Sequence, residues 1–202
     1  MGTPTAMSRA LLMSDTASPN SAPTPNSGAS AAYAASCTPK AFGTNTAALR
    51  AAEDFPPLPH RQQETGEVDG VLFVDDSIST TPEAAVAALD VYRDRAVTLI
   101  LGGHDRGIDY GNLVARLRVS PPNAAILMDA SGRRIHQVLA DNAWAHSAGS
   151  MREAVDLAKS LTPRGGVVLL SPAAPSYGTY RSFIERGEDF ARCAGLEQPP
   201  RR

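Results

Sequence analysis

The stretch GVLFVDDSISTTPEA, residues Gly70–Ala84, decides the fold because it changes character within a few residues. Its first part, Gly70–Asp75, is a short apolar run bounded by turn-prone residues, which is typical of a buried strand. A helix follows, for which Thr80 and Thr81 are candidate N-caps and Glu83 is placed for a capping box. A strand that ends in a polar turn before a helix is where α/β proteins build ligand sites.

The chain after Pro59 alternates between strand and helix patterns. Residues Val97–Gly103 (VTLILGG) form a nearly continuous apolar run, which is typical of a central parallel strand covered on both faces. The predicted strands are 70–75, 97–103, 124–129 and 167–171, and the predicted helices are 82–92, 110–118, 131–140, 150–161 and 180–194. This alternation predicts an α/β fold, a three-layer, doubly wound, mainly parallel sheet of the Rossmann-like type.

Three predicted strands end in polar, turn-prone segments, which are residues 75–81, 102–107 and 171–178. Parallel strands would bring these segments to one edge of the sheet, where carboxylates, hydroxyls, a guanidinium and helix N–H groups suit a polyanionic or amino-acid ligand. Each segment also has a purely structural interpretation. The hydroxyls could simply cap a helix, Gly102–Gly103 could simply turn the chain, and Arg106 could belong to a solvated ion pair. Residues 171–176 (SPAAPS) could form an ordinary rigid loop.

The composition limits the partners and the compartment. A net charge of −2 and a pI near 6.1 give no electrostatic reason to expect nucleic acid as a partner. The chain has no apolar run long enough to span a membrane, and its two cysteines and four histidines have no metal-ligand spacing. We therefore predict a cytoplasmic protein without a metal site of its own, and we expect a monomer whose partners are small molecules.

Four sequence blocks in a fixed order resemble a known family, namely LPHR (58–61), GEVDGVLFVDDSISTTPEA (66–84), LILGGHDRG (99–107) and LLSPAAPSYGTYRSFIERGEDF (169–190). Together they resemble the carboxy-terminal domain of Mur ligases, in particular of those that add glutamate to UDP-N-acetylmuramoyl-L-alanine in peptidoglycan synthesis. The resemblance covers about residues 45–196. It implies a reaction in which ATP phosphorylates the substrate carboxylate and the amine of glutamate then attacks the acyl phosphate.

The resemblance also implies roles for particular residues. ATP would be contacted by Arg61 and Asp76, and the Asp76 carboxylate can accept hydrogen bonds from both ribose hydroxyls. The residues implied for glutamate binding are Thr80, Arg106, Ser176, Tyr177 and Phe183. The Arg106 guanidinium suits a bidentate bond to a carboxylate. No catalytic residue is implied within the chain.

Two positions depart from relatives that use D-glutamate, because the chain has Ile78 and Arg106 where many of those relatives have lysine. The motifs DDSISTTP and GGHDRG resemble more closely the subgroup that adds L-glutamate. A single sequence leaves both enantiomers open, and L-glutamate is slightly favoured.

The sequence lacks the phosphate-binding loop of Mur ligases. Residues Gly43–Thr46 imitate its start but lack the Gly-Lys pair, so ATP and Mg²⁺ would have to act through a central domain that this sequence does not contain. The expected organisation is a disordered low-complexity tail (1–44), a linker or remnant of the central domain (45–66) and the carboxy-terminal domain (67–202). Two hypotheses follow: a truncated ligase component that is inactive alone, or a stand-alone, non-catalytic module that binds a nucleotide or an amino acid.

Overall fold

The computed structural model describes residues 58–196, which form six strands and five helices. The strands are β1 (Gln63–Val68), β2 (Val71–Asp75), β3 (Val97–Gly102), β4 (Ala124–Met128), β5 (Ala145–Ser147) and β6 (Val167–Leu170). The helices are α1 (Pro82–Val91), α2 (Gly111–Val119), α3 (Asp129–Leu139), α4 (Met151–Leu161) and α5 (Phe183–Ala194). Each strand and helix predicted from the sequence is present, with ends that differ by a few residues.

The strands form one mixed sheet in the order β1-β2-β6-β3-β4-β5. Strand β1 is antiparallel to β2, and all the other neighbouring pairs are parallel. Strand β3 is central, with Leu99 opposite Leu169 of β6 on one side and Ala125 of β4 on the other. The predicted mainly parallel, doubly wound sheet is therefore confirmed.

Strand β3 shows how the two faces of the sheet are covered. Leu99 and Leu101 pack with apolar residues of α1, α2 and α3, whereas Ile100 packs with apolar residues of α4 and α5. All three side chains are fully buried. The continuous apolar run predicted such a strand because successive side chains point to opposite faces and both faces are covered.

Two strands were not predicted, and both lie at the edges of the sheet. Strand β1 has the sequence QETGEV, is only partly buried and has an irregular register between Glu64 and Gly66. Strand β5 is only three residues long. Edge strands are commonly short, charged or bulged, so neither segment has the apolar pattern from which strands are predicted.

The N-terminus of α1 differs from the predicted capping box. Thr81 is the N-cap, and its side chain accepts a hydrogen bond from the backbone N–H of Ala84 at 3.4 Å. Glu83 is then the second residue of the helix, whereas a capping box needs the acidic side chain at the third. The predicted capping box is therefore wrong.

The predicted tail (1–44) and most of the predicted linker (45–66) lie outside the described residues. The described end of that linker includes the start of β1, so it contributes to the sheet. The predicted domain limits otherwise stay a prediction. None of the helices within residues 58–196 combines the length and the apolar character needed to cross a membrane.

A buried arginine of α5, Arg186, joins the ends of three neighbouring strands. It donates hydrogen bonds to Oγ and O of Ser77 after β2 (3.0 and 2.9 Å), to O of Ala174 after β6 (3.0 Å) and to O of Gly102 in β3 (3.4 Å). Its side chain is 1% exposed, and burial lowers the pKa of Arg186 to about 10, so the guanidinium stays charged at neutral pH. One side chain thus fixes the relative positions of three strand ends.

We expect Arg186→Met to lower the free energy of unfolding by about 3–5 kcal/mol, because carbonyl oxygens at the strand ends would stay buried without a donor. Arg192→Met is the matched control, since Arg192 lies on the same helix and its side chain is 76% exposed. We expect that control to change the same free energy by no more than about 0.5 kcal/mol. Urea unfolding followed by circular dichroism measures both variants. Equally small losses would contradict the role of Arg186.

Candidate functional site

Three loops meet at the carboxyl edge of the parallel strands. They follow β2, β3 and β6 and comprise residues 76–81, 103–110 and 171–182. The N–H of His104 donates to O of Pro175 at 2.8 Å, and Nη2 of Arg106 donates to O of Thr80 at 3.2 Å. The predicted convergence of these segments is therefore present.

The glycine pair at the end of β3, Gly102 and Gly103, allows this close approach. A Cβ atom on Gly102 would lie 2.0 Å from O of Met128, and Gly102 has a φ of +129°. A Cβ atom on Gly103 would lie 2.2 Å from O of Pro175. The pair therefore does more than turn the chain, because a larger residue would clash with the end of β4 at Gly102 and with the loop after β6 at Gly103.

The residues predicted for glutamate binding lie mostly on these loops. Arg106 is exposed and contacts the backbone of Thr80, which is half-buried. Tyr177 is 63% exposed, and its ring approaches that of His104 edge-on with 6.4 Å between centroids. Ser176 is buried beside it in the loop after β6. The structure thus brings together Thr80 and Arg106, and it links the loop of Arg106 to that of Ser176 and Tyr177.

Phe183, the fifth residue predicted for glutamate, lies in a different environment. Its ring contacts that of His60 edge-on, with centroids 5.8 Å apart, and its carbonyl accepts a hydrogen bond from Oγ of Ser77 at 2.8 Å. His60 directly precedes Arg61 in the chain. Phe183 therefore lies next to the segment that carries a residue predicted to contact ATP.

Asp76, predicted to contact ATP, is 2% exposed and already holds several hydrogen bonds. Its Oδ2 accepts from Oγ of Ser79 (2.5 Å) and of Ser171 (2.7 Å), and its Oδ1 accepts from the N–H of Gln62 (3.2 Å). A carboxylate has about four acceptor positions, so one more hydrogen bond fits without rearrangement. Bonds to both ribose hydroxyls would require one of the present donors to turn away.

Unsatisfied polar atoms lie beside Asp76. Nε of Arg61 and Oε1 of Gln62 are buried and have no hydrogen-bond partner. Arg61 is close enough that its positive charge acts on the Asp76 carboxyl group. A buried donor without a partner is costly unless a ligand or water satisfies it. A donor of this kind suits an anionic or hydroxyl-bearing ligand such as a nucleotide.

A buried pair next to this site was not predicted from the sequence. Nδ1 of His60 lies 2.7 Å from Oδ2 of Asp75, and both side chains are at least nine-tenths buried. Oδ1 of Asp75 accepts from the N–H of Ser77 at 2.9 Å. A Cβ atom on Gly187 would lie 2.1 Å from Oδ2 of Asp75, so α5 packs directly on the pair. The pair therefore fixes the segment that carries Arg61 against β2 and α5.

Within residues 58–196, no group of three or more His, Cys, Asp or Glu side chains could hold a metal ion.

The raised pKa of Asp76 predicts how the stability of the chain depends on pH. Burial raises this pKa above its usual range, and the hydrogen bonds from Ser79, Ser171 and Gln62 only partly oppose the effect. The folded chain therefore keeps this proton to a higher pH than the unfolded chain does. From about pH 4 upward, we expect the wild type to lose stability relative to Asp76→Asn, which cannot ionise.

Urea unfolding of both proteins across this range measures the difference in their free energies of unfolding. A constant difference between about pH 3 and pH 7, or a wild type that gains stability, would contradict the raised pKa.

Comparisons with known proteins identify the family of the chain. The family described as Mur ligase, glutamate ligase domain, matches residues 60–174. UDP-N-acetylmuramoyl-L-alanine–L-glutamate ligase of Xanthomonas euvesicatoria pv. vesicatoria is 46% identical over 165 residues, which cover 78% of this chain and 35% of that protein. The ligase of the same name from Salinispora tropica is 45% identical over 141 residues, which cover 69% of this chain and 31% of that protein. The chain thus spans about a third of the length of these relatives.

Solved structures show the same fold. MurF ligase from Thermotoga maritima in complex with ADP has a TM-score of 0.53 and 16% identity, covering 72% of this chain and 33% of that one. UDP-N-acetylmuramate-alanine ligase from the same organism has a TM-score of 0.51 and 18% identity, covering 71% of this chain and 32% of that one. Because the family match spans more than half of its residues, the chain belongs to the Mur ligase family and contains the glutamate ligase domain.

Proposed function

We propose that the chain is the glutamate- and ATP-contacting domain of a ligase that adds L-glutamate to UDP-N-acetylmuramoyl-L-alanine in peptidoglycan synthesis. The observation that carries the proposal is the 45–46% identity to relatives whose names state this reaction. The contact of Arg106 with Thr80 supports it, because the resemblance implies glutamate binding for both residues.

Arg106 is suited to binding a carboxylate of the incoming amino acid. One of its N–H groups is used by O of Thr80, and the exposed guanidinium keeps further donors for a bidentate bond. Ser176 and Tyr177 would line the same place from the loop after β6. Phe183 would act from the side of His60, against which its ring packs.

Arg61 and Asp76 are the residues that would contact ATP. The unpartnered Nε of Arg61 can donate to a nucleotide oxygen, and Asp76 can accept one further hydrogen bond from a ribose hydroxyl. ATP supplies the phosphoryl group that activates the substrate carboxylate. Mg²⁺ would be held by the phosphates of ATP and by parts of the ligase other than residues 58–196. We place this function in the cytoplasm, on a monomeric chain.

The preference for L-glutamate rests on two features. The relatives are named as L-glutamate ligases, and Ile78 and Arg106 replace the lysines found in many relatives that use D-glutamate. An apolar Ile78 removes one cation from the loop after β2. The carboxylates of the amino acid would then be bound mainly from the side of Arg106, which changes the orientation that the site can accept.

Titration of the 202-residue chain with L-glutamate, D-glutamate and ADP tests the proposal directly. We expect ADP to bind and L-glutamate to bind more tightly than D-glutamate, as measured by NMR shift changes in the loops at the carboxyl edge. An assay with ATP, Mg²⁺, UDP-N-acetylmuramoyl-L-alanine and L-glutamate should give no product from the chain alone, because the sequence has no phosphate-binding loop. The full-length Xanthomonas ligase is the positive control.

Tighter binding of D-glutamate would contradict the assignment of the enantiomer. Absence of binding by either enantiomer at millimolar concentration would contradict the glutamate site. Product formed by the chain alone would show that phosphoryl transfer does not need the missing loop. Binding without product fits both a ligase domain and the alternative, a stand-alone binding module. Product after addition of the other domains of the Xanthomonas ligase would favour the first.

Substitutions at the two proposed sites should affect the binding of L-glutamate and of ADP independently. We expect Arg106→Ala to weaken L-glutamate binding about tenfold or more, the effect of losing a charge-assisted hydrogen bond, and to leave ADP binding unchanged. Arg61→Ala should do the reverse. Calorimetric titration of each variant with each ligand measures this separation, and equal losses for both ligands in both variants would contradict the assignment.

A further inference from the structure

The loop that carries Arg106 is held by an arginine that has no assigned role, Arg134 of α3. Its Nη1 donates to both carboxylate oxygens of Asp105, at 2.8 and 3.0 Å, and its Nη2 donates to O of Ile108. The same guanidinium lies 4.9 Å from the centre of the Tyr110 ring, in cation–π geometry. One side chain therefore contacts the loop at Asp105, Ile108 and Tyr110, on both sides of Arg106.

The Asp105 carboxylate also restrains Gly107, the residue that follows Arg106. Its Oδ1 also accepts a hydrogen bond from the N–H of Gly107 at 2.9 Å. Gly107 has a φ of +74°, and a Cβ atom added there would meet nothing within 4 Å. Gly107 is exposed and has no side chain of its own, so its hydrogen bond to the Asp105 carboxylate, which Arg134 holds, restrains the loop at this point.

Arg106 itself has little else to restrain it. It is exposed, and its hydrogen bond to O of Thr80 is 3.2 Å long. A long, exposed side chain loses rotamer freedom when it binds a ligand, and a backbone fixed in advance reduces that cost. The affinity of Arg106 for a carboxylate should therefore depend on how firmly Arg134 holds the flanking backbone.

We propose that Arg134 is a positioning residue for the incoming amino acid and acts through Asp105 on Arg106. The inference rests on the proposed function, since it concerns the same carboxylate site. Arg134 and Asp105 have side chains 38% and 24% exposed, and a partly solvated ion pair contributes little to overall stability. Its removal should therefore affect ligand binding more than folding.

A double-mutant cycle distinguishes this role from a general structural one. The probes are L-glutamate and ADP, titrated into the 202-residue chain carrying Arg134→Met, Arg106→Ala or both substitutions. We expect Arg134→Met to weaken L-glutamate binding about three- to tenfold without changing ADP binding. If Arg134 acts through Arg106, the double variant should bind L-glutamate no more weakly than Arg106→Ala alone.

Two further variants complete the test. Arg134→Lys keeps the charge but lacks the planar fork, so it should recover only part of the lost affinity. Arg133→Met is the matched control, because Arg133 is the exposed neighbour of Arg134 on the same helix. The Arg133→Met variant should bind L-glutamate as tightly as the wild type does. Melting temperatures of all variants should stay within a few degrees of the wild type.

The possible outcomes separate the inference from the proposed function. Effects of Arg134→Met and Arg106→Ala that multiply in the double variant would overturn the inference and leave the glutamate site in place. A parallel loss of ADP binding or a collapse in melting temperature with Arg134→Met would also overturn it. Absence of L-glutamate binding by the wild type would overturn both.

Discussion

The hydrogen bonds of the buried Arg186 guanidinium are the interaction on which the arrangement of the candidate site depends. A sheet brings strand ends to one edge, but it does not fix the loops that follow them. Arg186 does so by binding Ser77, Ala174 and Gly102, one position from each of the loops or strand ends that meet there. Three backbone carbonyls and a hydroxyl accept hydrogen bonds from this buried positive charge, so the charge serves to define a single geometry.

The same principle recurs on either side of Arg186. On one side, the His60–Asp75 pair and the hydrogen bonds of Asp76 fix the segment that carries Arg61. On the other side, Arg134 and Asp105 fix the segment that carries Arg106. The residues proposed to meet ligands are thus held by buried or half-buried polar contacts behind them. This preorganisation reduces the ordering that ligand binding must impose.

The sequence predicted the sheet, the helices and the convergence of the loops, because apolar periodicity and polar strand ends are local signals. It did not predict β1, whose sequence is polar and whose register with β2 is irregular. It therefore could not predict that His60, just before β1, would reach Asp75 of β2. Arg186 was missed because FIERGEDF reads as a charged helix surface. Its burial could have been predicted from its position four residues before Phe190, because residues four apart lie on the same face of a helix and that face of α5 is buried.

A crystal structure of the chain with L-glutamate bound would show directly where the amino acid lies. We predict one carboxylate of L-glutamate against the Arg106 guanidinium, between the loop of Thr80 and that of Tyr177, with the Arg186 contacts unchanged. L-glutamate bound elsewhere on the domain, or held at this edge without Arg106, would contradict it.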